Sequence, residues 1–339
     1  MVRSSGRPGG TAKVTINALL IGIAGGAASA LLYATVTTGG SLVMPLFLAS
    51  PLPIAIVSLG WGSLSGVVAA LVAALGLAAL TMPAGGLLYA IVIGAPMAIY
   101  AHLAGLARRA GPAETDVEWY PVSRILATMT LLTALSVITI GAIFGFDVPE
   151  LTKEVAATLQ AMDPTLTDVS ADQQQALLAV VGLLMRFLPF AVSTFWLIVM
   201  VTCLTLAARI ARLSGRLARP QDAFALATDL PPVLAALLIV AVIATFLGGT
   251  VALVAGAFAG ALAMGFALVG FAVLHLLVRG NPAAPLVLSV AYGATFLISL
   301  PLLLFVALGL LDRPLGIRQR RLRKLNQPGG GGPTPPPAA

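Results

Sequence analysis

The sequence predicts an all-α fold, a polytopic bundle of transmembrane helices with about eight spans. Hydrophobic residues make up 59% of the 339 residues and charged residues only 9%, against about a quarter charged in soluble domains. The mean hydropathy is +1.03. The apolar residues form eight to nine hydrophobic segments, and the charged residues flank most of them instead of interrupting them. Runs of about 20 apolar residues are the length that a helix needs to cross a bilayer.

The charges around one apolar run predict its orientation in the membrane, and the orientation of the other runs follows from it. The charge-free stretch from Phe187 to Ala208 follows an acidic segment, 147–186, which holds half of the acidic residues. A basic cluster follows the run: Arg209, Arg212, Arg216 and Arg219. Basic residues concentrate on the cytoplasmic side of membrane proteins. We therefore expect a multi-pass membrane protein with segment 147–186 outside and the N-terminus in the cytoplasm.

The charge pattern divides the chain into five parts. They are a cytoplasmic polar arm (1–13), a four-segment helical bundle (14–107), a cytoplasmic loop (108–124), a second bundle that includes the outer loop 147–186 (125–311), and a tail that is first basic and then Gly/Pro-rich and disordered (312–339). No charged residue occurs between Val14 and Ala107, a length that accommodates four spans.

The number of apolar runs conflicts with the charge rule at the C-terminal end of the chain. Nine crossings would place the basic residues between Arg313 and Lys324 outside, against the charge rule. The simplest topology that keeps this tail in the cytoplasm has a re-entrant run at Leu230–Leu247, which is short and bounded by Pro and Gly pairs. Arg279 would then face outward, and eight crossings would remain.

The outer loop is expected to be partly helical. Leu151–Met162 and Ala171–Met185 combine helix-forming residues with acidic or Gln residues, which predicts two short helices at the outer membrane surface. Arg186 precedes a run that is long enough to span without it. This favours a side chain that snorkels to the interface over a charge buried in the membrane.

The composition and charge pattern also limit which classes of partner are expected. The formal net charge is +7, but the basic residues flank apolar runs. We therefore expect the lipid bilayer and anionic headgroups at the cytoplasmic face as partners, and no nucleic acid. Cys203 is the single cysteine, which excludes an intramolecular disulfide and a thiolate metal cluster. No cofactor motif occurs, and no cofactor is expected.

The search for catalytic or metal-binding residues yields few candidates. Neither His102 nor His275 has a potential metal ligand three or four residues away. Because the interiors of the apolar runs lack carboxylates, we expect no proton relay and no enzyme. His275 and Asp312 remain as functional candidates, each with a structural role at the interface as the simpler alternative. Asp312 is expected to pair with Arg313 or Arg318 and to pin a short membrane-surface helix.

The second apolar segment is irregular. It contains Pro45, Pro51 and Pro53, and each proline removes a backbone donor. A helix broken in this way is tolerated in a membrane where protein or water satisfies the freed carbonyls. One interpretation is a broken helix that lines a cavity, as in transporters. The other is two short helices that meet at a bend.

Small residues recur at four-residue spacing on several predicted helices. This spacing allows helices to pack closely in a membrane. The residues are Gly22, Ala24, Gly26, Ala28, Gly62, Gly66, Gly256 and Gly260. They are predicted to pack within the chain, against a partner subunit or in a homo-oligomer.

Several short motifs occur in a recognisable order. Pro51-Leu52-Pro53 leads into the Gly62–Ala70 helix, the long outer loop follows, and Gly309-Leu310-Leu311-Asp312 precedes Arg318 near the end. In this order they resemble the YybS-like family of uncharacterised bacterial membrane proteins, and Arg318 joins the functional candidates. Relatives tend to carry a polar Gln where this chain has Val269.

The family resemblance has functional implications. The N-terminal helices of that family are similar to the substrate-binding subunits of energy-coupling-factor vitamin transporters, which implies a small-molecule binding role. Those subunits dock their transporter partner through an Ala-x-x-x-Ala face on the first helix. Ala24 and Ala28 match that spacing.

Three hypotheses from different classes remain. A subunit that binds or transports a small molecule is favoured by the broken segment, the small-residue faces and the resemblance. A structural or assembly protein that organises partners is favoured by the lack of buried polar groups. An intramembrane enzyme lacks a plausible nucleophile or metal site.

Overall fold

The computed structural model describes residues 16–37, 40–111, 117–145, 147–163, 170–298 and 300–326. The predicted polar arm (1–13), the middle of loop 108–124 and the Gly/Pro-rich end of the tail lie outside these residues.

The described helices, in chain order, are α1 (Ile16–Ala34), α2 (Val43–Leu48), α3 (Leu52–Trp61), α4 (Ser63–Leu80), α5 (Pro83–Tyr89), α6 (Ala95–Gly105), α7 (Val122–Phe144), α8 (Val148–Met162), α9 (Ala171–Leu213), α10 (Phe224–Ala227), α11 (Pro232–Ala244), α12 (Gly249–Val278), α13 (Ala284–Ile298), α14 (Pro301–Leu315) and α15 (Ile317–Asn326). A π-helical turn (Ala90–Gly94) joins α5 to α6, and 3₁₀ turns follow α1 (Thr35–Thr37) and α11 (Thr245–Leu247). Strands β1 (Ala107–Arg109) and β2 (Val117–Trp119) form an antiparallel pair.

Seven helical segments in the described part of the chain are long and apolar enough to cross a membrane. They are α1, α2 with α3, α4, α5 with α6, α7, α9 and α12. Two shorter apolar segments, Pro232–Leu247 and Ala284–Ile298, accompany them. The predicted all-α transmembrane bundle is therefore confirmed. The β1–β2 pair in loop 108–124 was not predicted, and an ion pair of 2.7 Å between Arg108 and Glu118 joins its strands.

The chain forms two compact units. The first comprises Met1–Gln221 and Pro231–Leu262, and the second comprises Asp222–Leu230 and Ala263–Ala339. The interior of the first unit is mostly apolar, with a few buried serine and threonine hydroxyls. Its fully buried side chains include Ile54, Leu77, Tyr89, Ile93, Met97, Tyr100, Leu197 and Met200.

Close helix packing in the first unit occurs at glycines of α1 and α4. Gly22 and Gly26 are buried against α4, and an added Cβ at Gly22 would lie 2.9 Å from the Ser65 carbonyl oxygen. Gly66 is packed just as tightly against Ser58. The absence of a side chain at these positions lets the helix backbones approach each other.

Three of the predicted packing residues have a different environment. Gly62 has a φ of +103° and open space around an added Cβ, so its backbone conformation at the end of α3, and not close packing, favours glycine. Ala24 and Ala28 are exposed. They lie about 200° around α1 from Gly22 and Gly26. The packing face of α1 within the chain is therefore the glycine strip, and the alanine strip takes no part in it.

The second apolar segment is broken, as its prolines predict. Pro45 lies in α2, Pro51 at the N-cap of α3 and Pro53 in the first turn of α3. Side chains satisfy two carbonyls at the break: the Ser29 hydroxyl donates to the Ser50 carbonyl, and the Cys203 thiol donates to the Leu48 carbonyl at 3.4 Å. Of the two interpretations, the structure shows two short helices that meet at a bend, held by protein groups.

In the second unit, the last apolar run is two helices and not one span. α13 ends at Ile298, and α14 begins at Pro301. Proline disfavours helix in the residue before it and is well suited to the first turn of a new helix. α14 then continues to Leu315 and contains Asp312, which the sequence had placed just beyond the final span.

α12 and α14 cross with direct backbone contact. An added Cβ at Gly270 of α12 would overlap the Phe305 carbonyl, and one at Gly309 of α14 would overlap the Phe266 carbonyl. Both helices thus present a glycine to the other's backbone, the close approach that small residues permit between membrane helices.

Contacts in the second unit join Asp229 and Arg279 to the basic tail. Arg321 Nη2 donates to the Arg279 carbonyl oxygen at 3.0 Å, and Arg313 Nη2 donates to Asp229 Oδ2 at 3.0 Å. Asp229 and Arg279 are therefore both close to the basic tail. If the tail is cytoplasmic, as its charge predicts, Arg279 lies on the cytoplasmic side as well, and not outside as the scheme with a re-entrant run at Leu230–Leu247 expects. The number of crossings stays a prediction.

Candidate ligand-binding cavity

The longest helix in the described residues is α9, with 43 residues. It begins at a capping box, in which Ser170 Oγ accepts from the Gln173 N–H and the Gln173 side chain accepts from the Ser170 N–H. The helix is about 65 Å long, about twice the hydrocarbon thickness of a bilayer. The predicted separate helix at Ala171–Met185 is therefore wrong. No helix breaker divides it from the apolar run, so the two form one helix.

α8 packs along the N-terminal part of α9. Thr152 and Ala156 of α8 and Val181 of α9 are buried, and Gly182 of α9 lies against the Thr152 side chain. The first of the two predicted outer helices, Leu151–Met162, is therefore confirmed as part of α8.

α12 approaches α9 at Gly260. An added Cβ there would overlap the Phe190 carbonyl, and Gly256, one turn earlier, faces the Phe190 backbone at 3.8 Å. Thr194 Oγ1 donates to the carbonyl oxygens of Phe190 at 2.9 Å and Gly260 at 3.1 Å. Pro189 lies inside α9 beside this contact and removes one helix hydrogen bond. The close approach of α9 and α12 is therefore at Gly260, whereas an added Cβ at Gly256 would be in ordinary van der Waals contact.

A cavity of about 1000 Å³ lies where α8, α9 and the turn between α11 and α12 meet. Its apolar lining residues are Val148, Pro149, Leu178, Leu183, Phe187, Phe190, Val242, Phe246, Ala252, Leu253 and Ala259. Gly248 and Gly249, with φ of +76° and +57°, turn the chain at its edge. The volume is at the upper end of the range of about 300–1,000 Å³ for ligand pockets.

Two cationic side chains, Lys153 and Arg186, line this cavity, and its lining residues include no acid. Lys153 Nζ lies 3.7 Å from the Glu150 carboxylate in an exposed pair, a kind of pair that contributes little in water. Arg186 is exposed and forms no hydrogen bond or ion pair with any residue that the structure describes. The cavity can therefore accept an anionic group at its cationic part and apolar groups elsewhere.

Two of the sequence candidates meet in the second unit. Asp312 is only 5% exposed; Arg318 Nε donates to its Oδ2 at 2.6 Å, and the Arg318 backbone N–H donates to its Oδ1 at 3.1 Å. Arg318 Nη1 also donates to the Thr228 carbonyl at 2.8 Å, and Nη2 lies 3.4 Å from Asp229 Oδ1. The predicted contact of Asp312 with an arginine is therefore present. We call this cluster the Asp312–Arg318 clamp.

His275 lies among aromatic rings of the same unit. Its ring centre is 5.4 Å from that of Phe224 and 5.9 Å from that of Tyr292, and its Nδ1 is 2.8 Å from the Phe271 carbonyl oxygen. Among the described residues, no group of three or more His, Cys, Asp or Glu side chains is arranged to hold a metal ion. Val269 is 1% exposed.

Sequence reasoning missed two participants. Asp229 joins the Asp312–Arg318 clamp from a distant part of the chain, and no local pattern marks it. Lys153 lines the cavity because α8 folds back on α9, and its signal in the sequence was that it is the single basic residue between Asp147 and Met185.

Comparison with known proteins gives a family. The model of a family described as "Predicted membrane protein (DUF2232)" matches residues 43–313, which include the cavity and Asp312. The function of this family is unknown. No curated protein and no solved structure matches the chain significantly. The YybS-like name and the likeness to energy-coupling-factor subunits therefore stay predictions.

Proposed function

We propose that this chain, which belongs to the DUF2232 family of predicted membrane proteins, is a non-enzymatic membrane subunit that binds or transports a small molecule. The observation that carries the proposal is the cavity beside Arg186, with its large volume, apolar walls and two cationic groups. Ligand sites are commonly concave and mostly apolar, with a few placed polar groups.

The same proposal gives the protein a location and an orientation. It lies in the cytoplasmic membrane of a bacterium, and the cavity opens near the outer surface, because acidic residues precede Arg186 and basic residues end α9. The absence of a nucleophile or metal motif in the sequence supports binding without catalysis.

A structural or assembly role is the second candidate, and one observation favours it. Ala24 and Ala28 are exposed on α1 and have the spacing that membrane helices use for close association. A transporter subunit or a second copy of this chain would pack there.

The first test is the thermal stability of the purified full chain against a panel of vitamins, metabolites and lipids. A ligand that binds only the native state must raise the apparent stability, by about 2.7 kcal/mol at 100 times its Kd. An Ala252→Phe variant fills the cavity and should lose the effect, and Ala24→Phe, at an exposed alanine, should keep it. If no ligand stabilises the protein and Ala24→Phe disrupts copurification of a partner or a second copy, the assembly role replaces the binding role.

A further inference from the structure

The cavity lies at the level where α9 leaves its membrane-spanning run. The charge-free part of α9 begins at Phe187, and Arg186 is the residue directly before it; toward the N-terminus the helix becomes polar at Asp172 and Gln173. A charge at the end of an apolar run marks the membrane interface. The headgroups of amphiphiles lie at this same level.

The walls of the cavity leave apolar side chains uncovered. Leu183 is 55% exposed, Phe187 59% and Phe246 84%, and all three line the cavity. Beside a membrane-spanning run, lipid tails or an occupant with an acyl chain would cover these surfaces, and a small polar solute would not. The hydrophobic effect therefore favours an amphiphile over a sugar or an amino acid.

The charges of the cavity favour an anionic headgroup on that amphiphile. Both charged lining residues, Lys153 and Arg186, are cations. The planar guanidinium of arginine matches carboxylate and phosphate oxygens, and lysine adds a point charge. Glu150 competes for Lys153, but that pair is exposed and long, at 3.7 Å, so a bound anion can replace it.

From these observations we infer that the cavity binds an anionic amphiphile. Its carboxylate or phosphate head lies between Lys153 and Arg186, and its acyl chain lies along Phe187 and Phe246. This inference rests on the proposed binding function and names the chemical class of its ligand. A free fatty acid and an anionic phospholipid share this chemistry.

The experiment measures ligand binding to the full chain in a neutral detergent, by native mass spectrometry and thermal stability. The probes are palmitate, dipalmitoyl phosphatidic acid, palmityl alcohol and inorganic phosphate. We expect one of the first two to bind with one-to-one stoichiometry, while the alcohol, which lacks the charge, and phosphate, which lacks the chain, bind at least about tenfold more weakly. Binding of palmitate identifies a free acid as the source, and binding of phosphatidic acid identifies a bilayer lipid.

Variants of the cavity test separately the contacts of the headgroup and the space for the acyl chain. Arg186→Gln and Lys153→Gln are each expected to weaken binding of the anionic probe about tenfold, whereas Arg109→Gln, at an exposed arginine of β1, leaves it unchanged. Both cavity positions are on helix surfaces, so these variants should fold. Ala252→Phe should abolish binding of any probe in the cavity.

Two results would overturn the inference in different ways. Equal binding of palmitate and palmityl alcohol, blocked by Ala252→Phe, rejects the anionic head and keeps the proposed function. Failure of every probe and of the wider ligand panel rejects both. Anionic binding that neither Arg186→Gln nor Lys153→Gln weakens also rejects the assigned site.

Discussion

Arg318 holds both carboxylate oxygens of Asp312, one through its guanidinium Nε at 2.6 Å and the other through its backbone N–H at 3.1 Å. The two residues lie on either side of Gly316, which adopts φ +59° and ends α14. The contact therefore fixes the angle between α14 and α15. It also places a buried carboxylate where its charge is fully paired within the chain.

We expect substitution in this clamp to destabilise the protein. Removing one partner leaves the other charge buried and unpaired, which costs about 3–5 kcal/mol, so Arg318→Ala should lower the Tm of the purified protein strongly. Asp312→Asn should have a smaller but clear effect. Arg313→Ala is the matched control, because its pair with Asp229 is exposed and should contribute about 1 kcal/mol or less. Loss of ligand binding by Asp312→Asn with an unchanged Tm would instead make Asp312 a functional carboxylate.

The two strips of small residues on α1 should respond differently to a bulky side chain. Gly26→Leu forces a side chain against Ala69 and Val72 of α4 and should cost more than the 1–3 kcal/mol typical of overpacking, measured as a fall in Tm. Ala28→Leu, on the exposed strip, should leave the Tm of the isolated chain unchanged. An equal fall for both variants would contradict the packing described for α1.

Substitution by alanine should have opposite effects on protein stability at Gly270 and at Gly293. Gly270→Ala places a methyl group against the Phe305 carbonyl and should destabilise the protein by about 1–3 kcal/mol. Gly293 lies in α13 with nothing near an added Cβ, so Gly293→Ala should be neutral or stabilising by up to about 1 kcal/mol. Thermal unfolding of both variants in one detergent tests this. A stable Gly270→Ala protein would mean that α12 and α14 do not touch.

Single-cysteine labelling of intact cells tests the topology. In a Cys203→Ser background, we expect a membrane-impermeant maleimide to label Asp163→Cys and to leave Arg279→Cys and Thr334→Cys unlabelled. A permeant maleimide on lysed cells is the control for reactivity. External labelling of Arg279→Cys alone would restore the re-entrant run at Leu230–Leu247. External labelling of Thr334→Cys alone would instead favour nine crossings.

The predictable and unpredictable parts of this protein differ in physical origin. The spans and the α2–α3 break follow from local rules, namely run length and proline chemistry. The continuity of α9 through residues 171–186 was missed, because a polar helix joined to an apolar one changes the pattern without any breaker.

The two polar sites depended on contacts between distant segments. The sequence predicted that Asp312 pairs with Arg313 or Arg318, but Asp229 reaches this pair only through the fold. Lys153 and Arg186 were visible as isolated charges. Their common cavity exists only because α8 folds back along α9, and no spacing in the sequence encodes that distance.

The crossing at Gly270 and Gly309 has a consequence for how the chain is made. α13 and α14 have 15 residues each, about 22 Å of helix, which is less than the hydrocarbon thickness. Neither is a good substrate for membrane insertion by itself, so the two should enter together as a hairpin. α12 is synthesised before them and offers the Gly270 slot that receives the backbone at Phe305. Until Phe305 is synthesised, the groove at Gly270 of α12 therefore has no helix to fill it.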